Sequence, residues 1–161
     1  MHTLLVPVDG SVHAQKALQV ACDLAEKYGG RIVLLHILAR HKKAADLLDL
    51  AVAGHFEPKL RSALKLAADK QADVPDAVLT LIGQKILEQA ETRSTRRGIE
   101  TEILPVDDGD PAASILLAQD RTKANTIVMG CRGVGTTENE TFGSVSRRVF
   151  AKASCTCLSV K

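Results

Sequence analysis

The sequence predicts an α/β fold: an open five-stranded parallel sheet in the order 3-2-1-4-5, with helices on both faces. Three observations predict it. Short apolar runs alternate with stretches of helical periodicity along all 161 residues. Strands separated by helices need right-handed crossovers, which make neighbouring strands parallel. The most apolar runs, starting at Thr3, Arg31 and Asn125, suit the doubly buried centre of such a sheet. The more polar runs, starting at Ile99 and Cys155, suit its edges.

The first strand, residues 3–8, ends at Asp9-Gly10-Ser11, a turn sequence. Ser11 can cap a helix reaching about residue 28, with Ala14, Leu18, Ala21, Cys22 and Ala25 on one face. Gly29-Gly30 ends that helix. The second strand is 31–38. Residues 40–98 then hold more helix than one crossover needs. One helix is predicted over 44–52, before interruptions at Gly54 and Pro58. A second carries Leu60, Ala63, Leu64 and Ala67. A third starts within Asp73-Val74-Pro75-Asp76 and runs to Arg97, where Gly98 stops it. Part of this stretch is expected to be an excursion from the fold or a mobile segment.

Residues 99–106 alternate polar and apolar through Glu100 and Glu102, as an edge strand does. Asp110-Pro111 caps and opens a helix to about Arg121. Residues 125–130 form the fourth strand, Gly143-Ser144 opens the last helix to about residue 153, and 155–160 form the last strand. The chain reads as one domain over 1–161, with the extended helical segment at about 40–98.

Composition excludes several function classes. A net charge of +2 is too small a bias to argue for nucleic acid. Aromatic residues are 2% with no Trp, so no platform stacks bases. No apolar run approaches the roughly 20 residues of a membrane span. No basic segment precedes the first strand, so a cytoplasmic protein is expected. Cys22, Cys131, Cys155 and Cys157 have neither zinc spacing nor a disulfide framework. Cys131 sits in a glycine-rich loop, where a lowered thiol pKa would make a redox sensor and the plainer role is packing. The five histidines form no ligand cluster, and His36 reads as a core residue. Arg93, Arg96 and Arg97 read as a basic helix end that favours the C-terminal dipole.

In the order 3-2-1-4-5 the chain reverses direction between strands 1 and 4, and ligands bind outside the carboxyl ends of strands at such a point. Two loops meet there: Asp9-Gly10-Ser11 and Gly130-Cys131-Arg132-Gly133-Val134-Gly135. Glycines let backbone amides approach a bulky anion. The second loop runs on to Gly143-Ser144-Val145-Ser146, a helix start whose free N–H groups favour phosphate. Ser144 and Ser146 add hydroxyls and Arg132 adds charge. The pattern suits a polyphosphate cradle, yet it is neither a Walker A loop nor a G-x-G-x-x-G fingerprint.

Gly130, two residues, Gly133, nine residues and Gly143-Ser144 resemble the nucleotide-binding signature of the universal stress protein family. Val6-Pro7-Val8-Asp9-Gly10-Ser11, Leu35-His36-Ile37 and Val128-Met129-Gly130 resemble its first, second and fourth strand ends. The resemblance implies a regulatory ATP-binding protein. By the same resemblance, Asp9 contacts the ribose or, through water, a Mg²⁺ on the phosphates. The Ile37 backbone meets adenine, with Pro7 and Val8 lining the base pocket. Met129 and Gly130 pack near the ribose, while Gly133, Gly143, Ser144, Val145 and Ser146 hold the phosphates. The family also implies a homodimer through the last strand.

Three features depart from the family: the polar stretch with Glu138 and Glu140, Thr156 in place of a usual proline, and the long middle region. Without the family, Asp9 and Ser144 serve as helix-start residues, and Arg132 is solvated or paired with Glu138 or Glu140. Two rival functions stay open. One is a slow ATP-hydrolysing enzyme, for which only Arg132 and Asp9 stand out. The other is a dimeric interaction scaffold that holds no nucleotide.

Overall fold

The computed structural model describes residues 2–135 and 142–161. In chain order its elements are β1 (His2–Pro7), α1 (Val12–Tyr28), β2 (Gly30–Leu35), α2 (Ala44–Ala53), α3 (Pro58–Asp69) and α4 (Asp76–Thr95). Then follow β3 (Thr101–Ile103), α5 (Pro111–Thr122), β4 (Thr126–Gly130), α6 (Ser144–Lys152) and β5 (Thr156–Val160). The five strands form one sheet, β3-β2-β1-β4-β5, and every pairing is parallel.

Strand alternation divides the core between the two faces. Leu4, Val6, Ile32, Leu34 and Val128 meet α1 and the helices of the middle region on one side. Leu5, Val33, Leu35, Ile127 and Met129 meet α5 and α6 on the other. Each fully buried Leu, Ile or Val side chain contributes about 1.5–3 kcal/mol. That is why these three strands are apolar at nearly every position.

Local signals set the helix ends. The Ser11 hydroxyl accepts from the Ala14 N–H (3.2 Å), and Gly29 takes the left-handed cap at φ 69°. The Asp110 carboxylate accepts from the Ala113 N–H (3.0 Å), with Pro111 behind it. α4 starts at Asp76, within the expected Asp73-Val74-Pro75-Asp76, with Pro75 as its cap residue and no side-chain capping bond. The basic run ends differently. Arg97 lies beyond α4 and bonds to Asp23 (2.7 Å) and Glu26 of α1.

The edge strand β3 and its neighbour β2 end earlier than the sequence suggests. Of the stretch 99–106 only Thr101–Ile103 is strand, and the second strand, expected over 31–38, is Gly30–Leu35. Pro105 is the reason. The Leu104 N–H bonds to the Leu34 carbonyl, while the Asp107 N–H bonds to the His36 carbonyl. One extra residue is therefore taken up on the outer strand, beside a proline with no N–H to give. Pairing resumes as a single bridge between Ile37 and Asp107.

The middle region is three helices. Its Phe56, Leu60, Leu64, Leu79 and Ile82 are buried in the core on the α1 side.

Candidate functional site

Loop 1 leaves β1 at Val8, whose N–H donates to the Leu35 carbonyl (2.8 Å). Asp9 follows, then Gly10 at φ +83°, a conformation that suits glycine. One Asp9 oxygen accepts from the Ser11 N–H (2.9 Å), the other from the Val134 N–H (3.0 Å). Asp9 thus turns loop 1 and ties it to loop 4. A Cβ on Gly133 would stand 2.6 Å from the Asp9 Oδ2. Glycine is needed there for the carboxylate to reach Val134.

Loop 4 leaves β4 at Gly130, where a Cβ would stand 2.7 Å from His13 Cβ and 3.0 Å from the Ala14 nitrogen. Its absence brings β4 against the first turn of α1. The Cys131 carbonyl accepts from the Gly143 N–H (2.7 Å), joining loop 4 to the start of α6. The Ser146 hydroxyl lies 3.0 Å from the Cys131 and Gly143 carbonyls, so it serves this junction. The Cys131 side chain is fully buried, which fits the packing role and not an accessible sensor. Gly143 caps α6 without a side-chain hydrogen bond. Among the described residues no side chain therefore takes up the first N–H groups of that helix, which suit an anion.

Pro7, Val8, Asp9, Ile37, Met129, Gly130, Arg132, Gly133, Gly143, Ser144, Val145 and Ser146 all line one cavity, while Gly10, Ser11 and Gly135 of the same loops line an adjacent cleft. Ile37 is held by its bridge in a particular way. Its neighbours His36 and Leu38 bond to Asp107. Alternation along an extended chain turns the N–H and C=O of Ile37 the other way. There they have no backbone partner among the described residues.

Sequence reasoning missed Ala39, His41, Lys42, Pro111 and Ile115, which line the same cavity. The rule that nominates loops at strand carboxyl ends also covers the segment after β2, which carries Ala39, His41 and Lys42. Desolvation and then the Lys42 charge lower the pKa of His41. Desolvation, then Arg132 and Lys16, lower that of His13. Both rings are therefore biased towards neutrality. Asp9 is the one carboxylate among the described residues of the lining. No group of three metal-ligating side chains occurs among the described residues. Glu138 and Glu140 lie outside the described residues. No helix among the described residues is long and apolar enough to cross a membrane.

Comparison with known proteins identifies the family and the fold. A family model described as "Universal stress protein family" matches residues 1–161. A universal stress protein of Thermus aquaticus is 31% identical over 159 residues, covering 99% of this chain and 98% of its own. Solved structures share the fold. One is the universal stress protein from Archaeoglobus fulgidus in complex with dAMP. It has a TM-score of 0.65 and 21% identity, with 100% of this chain and 98% of that one covered. Another is a universal stress protein in complex with cAMP. It has a TM-score of 0.60 and 20% identity, with 99% and 96% covered. The match runs the full length of the sequence, and the strand order is that of the solved relatives. The chain belongs to the universal stress protein family.

Proposed function

We propose that this protein binds an adenine nucleotide, ATP with Mg²⁺, where loops 1 and 4 meet. It would act as a nucleotide-dependent regulator of a stress response rather than as a fast enzyme. The observation that carries the reading is the pairing of two unlike features in one cavity. At one place the Ile37 N–H and C=O offer a donor and an acceptor beside Pro7 and Val8, as the edge of a purine requires. At another, the uncapped start of α6 offers amides to phosphate. Solved relatives that hold dAMP and cAMP support the nucleotide class.

The cavity is about 170 Å³. Small-molecule sites are usually roughly 300–1,000 Å³. On this reading the base and ribose occupy it, and the phosphates lie along loop 4. Mg²⁺ characteristically keeps several waters and binds through one or two carboxylates plus phosphate oxygens. Asp9 suits that role through water, since both its oxygens already accept backbone N–H groups. The ion would balance phosphate charge.

The chain acts as one domain on this reading. A homodimer would form through β5, which pairs with β4 along one side. Thr156 and Val160 make backbone bonds towards β4 and its flanks. Cys157 and Ser159, of the opposite parity, turn their amides to the free edge.

The test is to purify the protein without added nucleotide, denature it and identify what is released by mass spectrometry. Gly133→Ala and Ser144→Ala are run beside it. ATP from the wild type, absent from both variants, is the expected result. ADP or AMP would favour hydrolysis. No nucleotide, with no thermal shift on adding Mg-ATP, would favour the scaffold.

A further inference from the structure

The excursion over 40–98 exceeds what a crossover from β2 to β3 needs, and one of its faces is open. α2 packs chiefly on α3 and leaves a cleft towards α1 and α4. The cleft measures about 370 Å³. That falls within the roughly 300–1,000 Å³ of small-molecule sites. Its walls are apolar: Leu18 of α1, Leu50 and Ala53 of α2, Phe56, and Ile86 and Ala90 of α4. Gly10 and Val134 belong to its lining as well.

One cation is braced at this cleft. The Gln15 Nε2 donates to the Gly10 carbonyl (3.1 Å), and the Gln15 Oε1 accepts from Arg93 Nη1 (3.1 Å). Arg31, Arg40, Arg97 and Arg148 each sit on a carboxylate. Arg93 makes no ion pair among the described residues. Arg132 also lines the cleft, and Asp49 is the one acid in the described lining. Among the described lining residues the balance of charge is positive, at the border of an apolar space.

We infer that this cleft is a second ligand site, for an apolar monocarboxylate of medium chain length. The alkyl chain lies against Leu50, Phe56 and Ile86, and the carboxylate meets the Arg93 guanidinium. Such a pairing suits a guanidinium already oriented by one hydrogen bond. The site does not depend on nucleotide binding. It does share Val8, Ala14, Arg132, Gly133 and Val134 with the first cavity, so an occupant bears on the same loops.

Octanoate is the probe, with octanol as its uncharged match, each titrated into the full chain by ¹H–¹⁵N NMR. Octanoate is expected to shift the amides of Phe56, Ala90 and Val134 saturably. Arg93→Gln weakens octanoate about tenfold, the size of one charge-assisted hydrogen bond, and leaves octanol unchanged. Ala53→Trp, on an exposed position of the lining, abolishes both. Ala53→Leu narrows the same cleft should the tryptophan variant fail to fold. Absence of saturable octanoate binding below ~1 mM overturns the proposal. So does binding indifferent to Arg93→Gln, or shifts confined to Ile37 and Met129.

Discussion

Gly83 of α4 leaves the space that His36 fills: a Cβ at Gly83 would stand 2.5 Å from the His36 Cδ2. His36 is 2% exposed, and its Nδ1 lies 2.8 Å from the Val8 carbonyl. A carbonyl only accepts, so Nδ1 carries the proton and Nε2 is left as a lone pair. That nitrogen is buried with no hydrogen-bond partner among the described residues. The pair couples the last helix of the middle region to the residue beside Ile37.

Gly83→Ala therefore sets two effects against each other. Alanine favours a helix interior by about 1 kcal/mol over glycine, while overpacking costs about 1–3 kcal/mol. A contact at 2.5 Å is far inside van der Waals range, so the steric effect wins. A net loss of up to about 2 kcal/mol in urea denaturation is expected. A variant as stable as wild type would show that α4 moves freely over His36.

Burial, the largest influence on His36, lowers its pKa from the ordinary 6.5, against the Val8 hydrogen bond and the Asp9 charge. The native state thus binds the proton less readily than the unfolded chain. Its stability contribution is whole above about 6.5 and is lost as pH falls towards the lowered native value. The slope is up to about 1.4 kcal/mol per pH unit. His36→Asn retains a donor for the Val8 carbonyl and does not titrate. Urea midpoints measured above and below pH 6.5 should converge for this variant. An unchanged slope would assign the effect to His13 or His41, whose pKa values are lowered too.

Asp9→Asn replaces one acceptor oxygen with an amide that faces a backbone N–H. One unsatisfied polar group costs about 1–3 kcal/mol. Gly133→Ala reaches the same bond from the other side, through the 2.6 Å contact with Oδ2. Both should reduce bound nucleotide by freeing loop 4 from loop 1, and Asp9→Asn also weakens the water-mediated Mg²⁺ contact proposed above. Nucleotide per chain after denaturation measures this. Full retention in both variants would mean that the Asp9–Val134 bond does not hold the loop.

The thiols should be slow in the native state. Desolvation raises Cys22 and Cys155, and raises Cys157 to about 11. Cys22 and Cys131 are also buried. A chromogenic disulfide reagent near neutral pH should titrate the native chain far more slowly than the unfolded one, where all four react. Rapid labelling of Cys131, located by peptide mapping, would reopen its redox reading.

The free edge of β5 is tested by Ser159→Pro. Proline removes an N–H turned away from β4 and leaves the bonds of Thr156 and Val160 in place. Equilibrium sedimentation should show a dimer for wild type and a monomer for the variant, with unchanged circular dichroism. A monomeric wild type at micromolar concentration would remove the dimer.

The three central strands were legible because burial on both faces forces an apolar residue at nearly every position. The strand order was legible because polarity graded the two edges. Their switch point in turn nominated loops 1 and 4, whose Asp9, Arg132, Gly133 and Gly143 line one cavity, while Ile37 entered only through the family resemblance. What was hidden depends on contacts between distant parts of the chain. Nothing local to Asp9 announces that Val134 is its partner, and nothing local to Gly83 announces His36. The early end of β3 was hidden for another reason: alternation of polarity continued past Pro105, but hydrogen bonding did not. His41 and Lys42 belong to a stretch whose periodicity says only where helices lie, not which loop turns back over the sheet.

Pro105 has a consequence for stoichiometry. It leaves the β3 side of the sheet short and out of step, whereas β5 keeps five residues in regular register. A sheet able to extend at both edges is the seed of a filament. A sheet able to extend at only one edge can accept a single neighbour. If that neighbour is a second copy meeting β5 with β5, each copy closes the other, and growth ends at two.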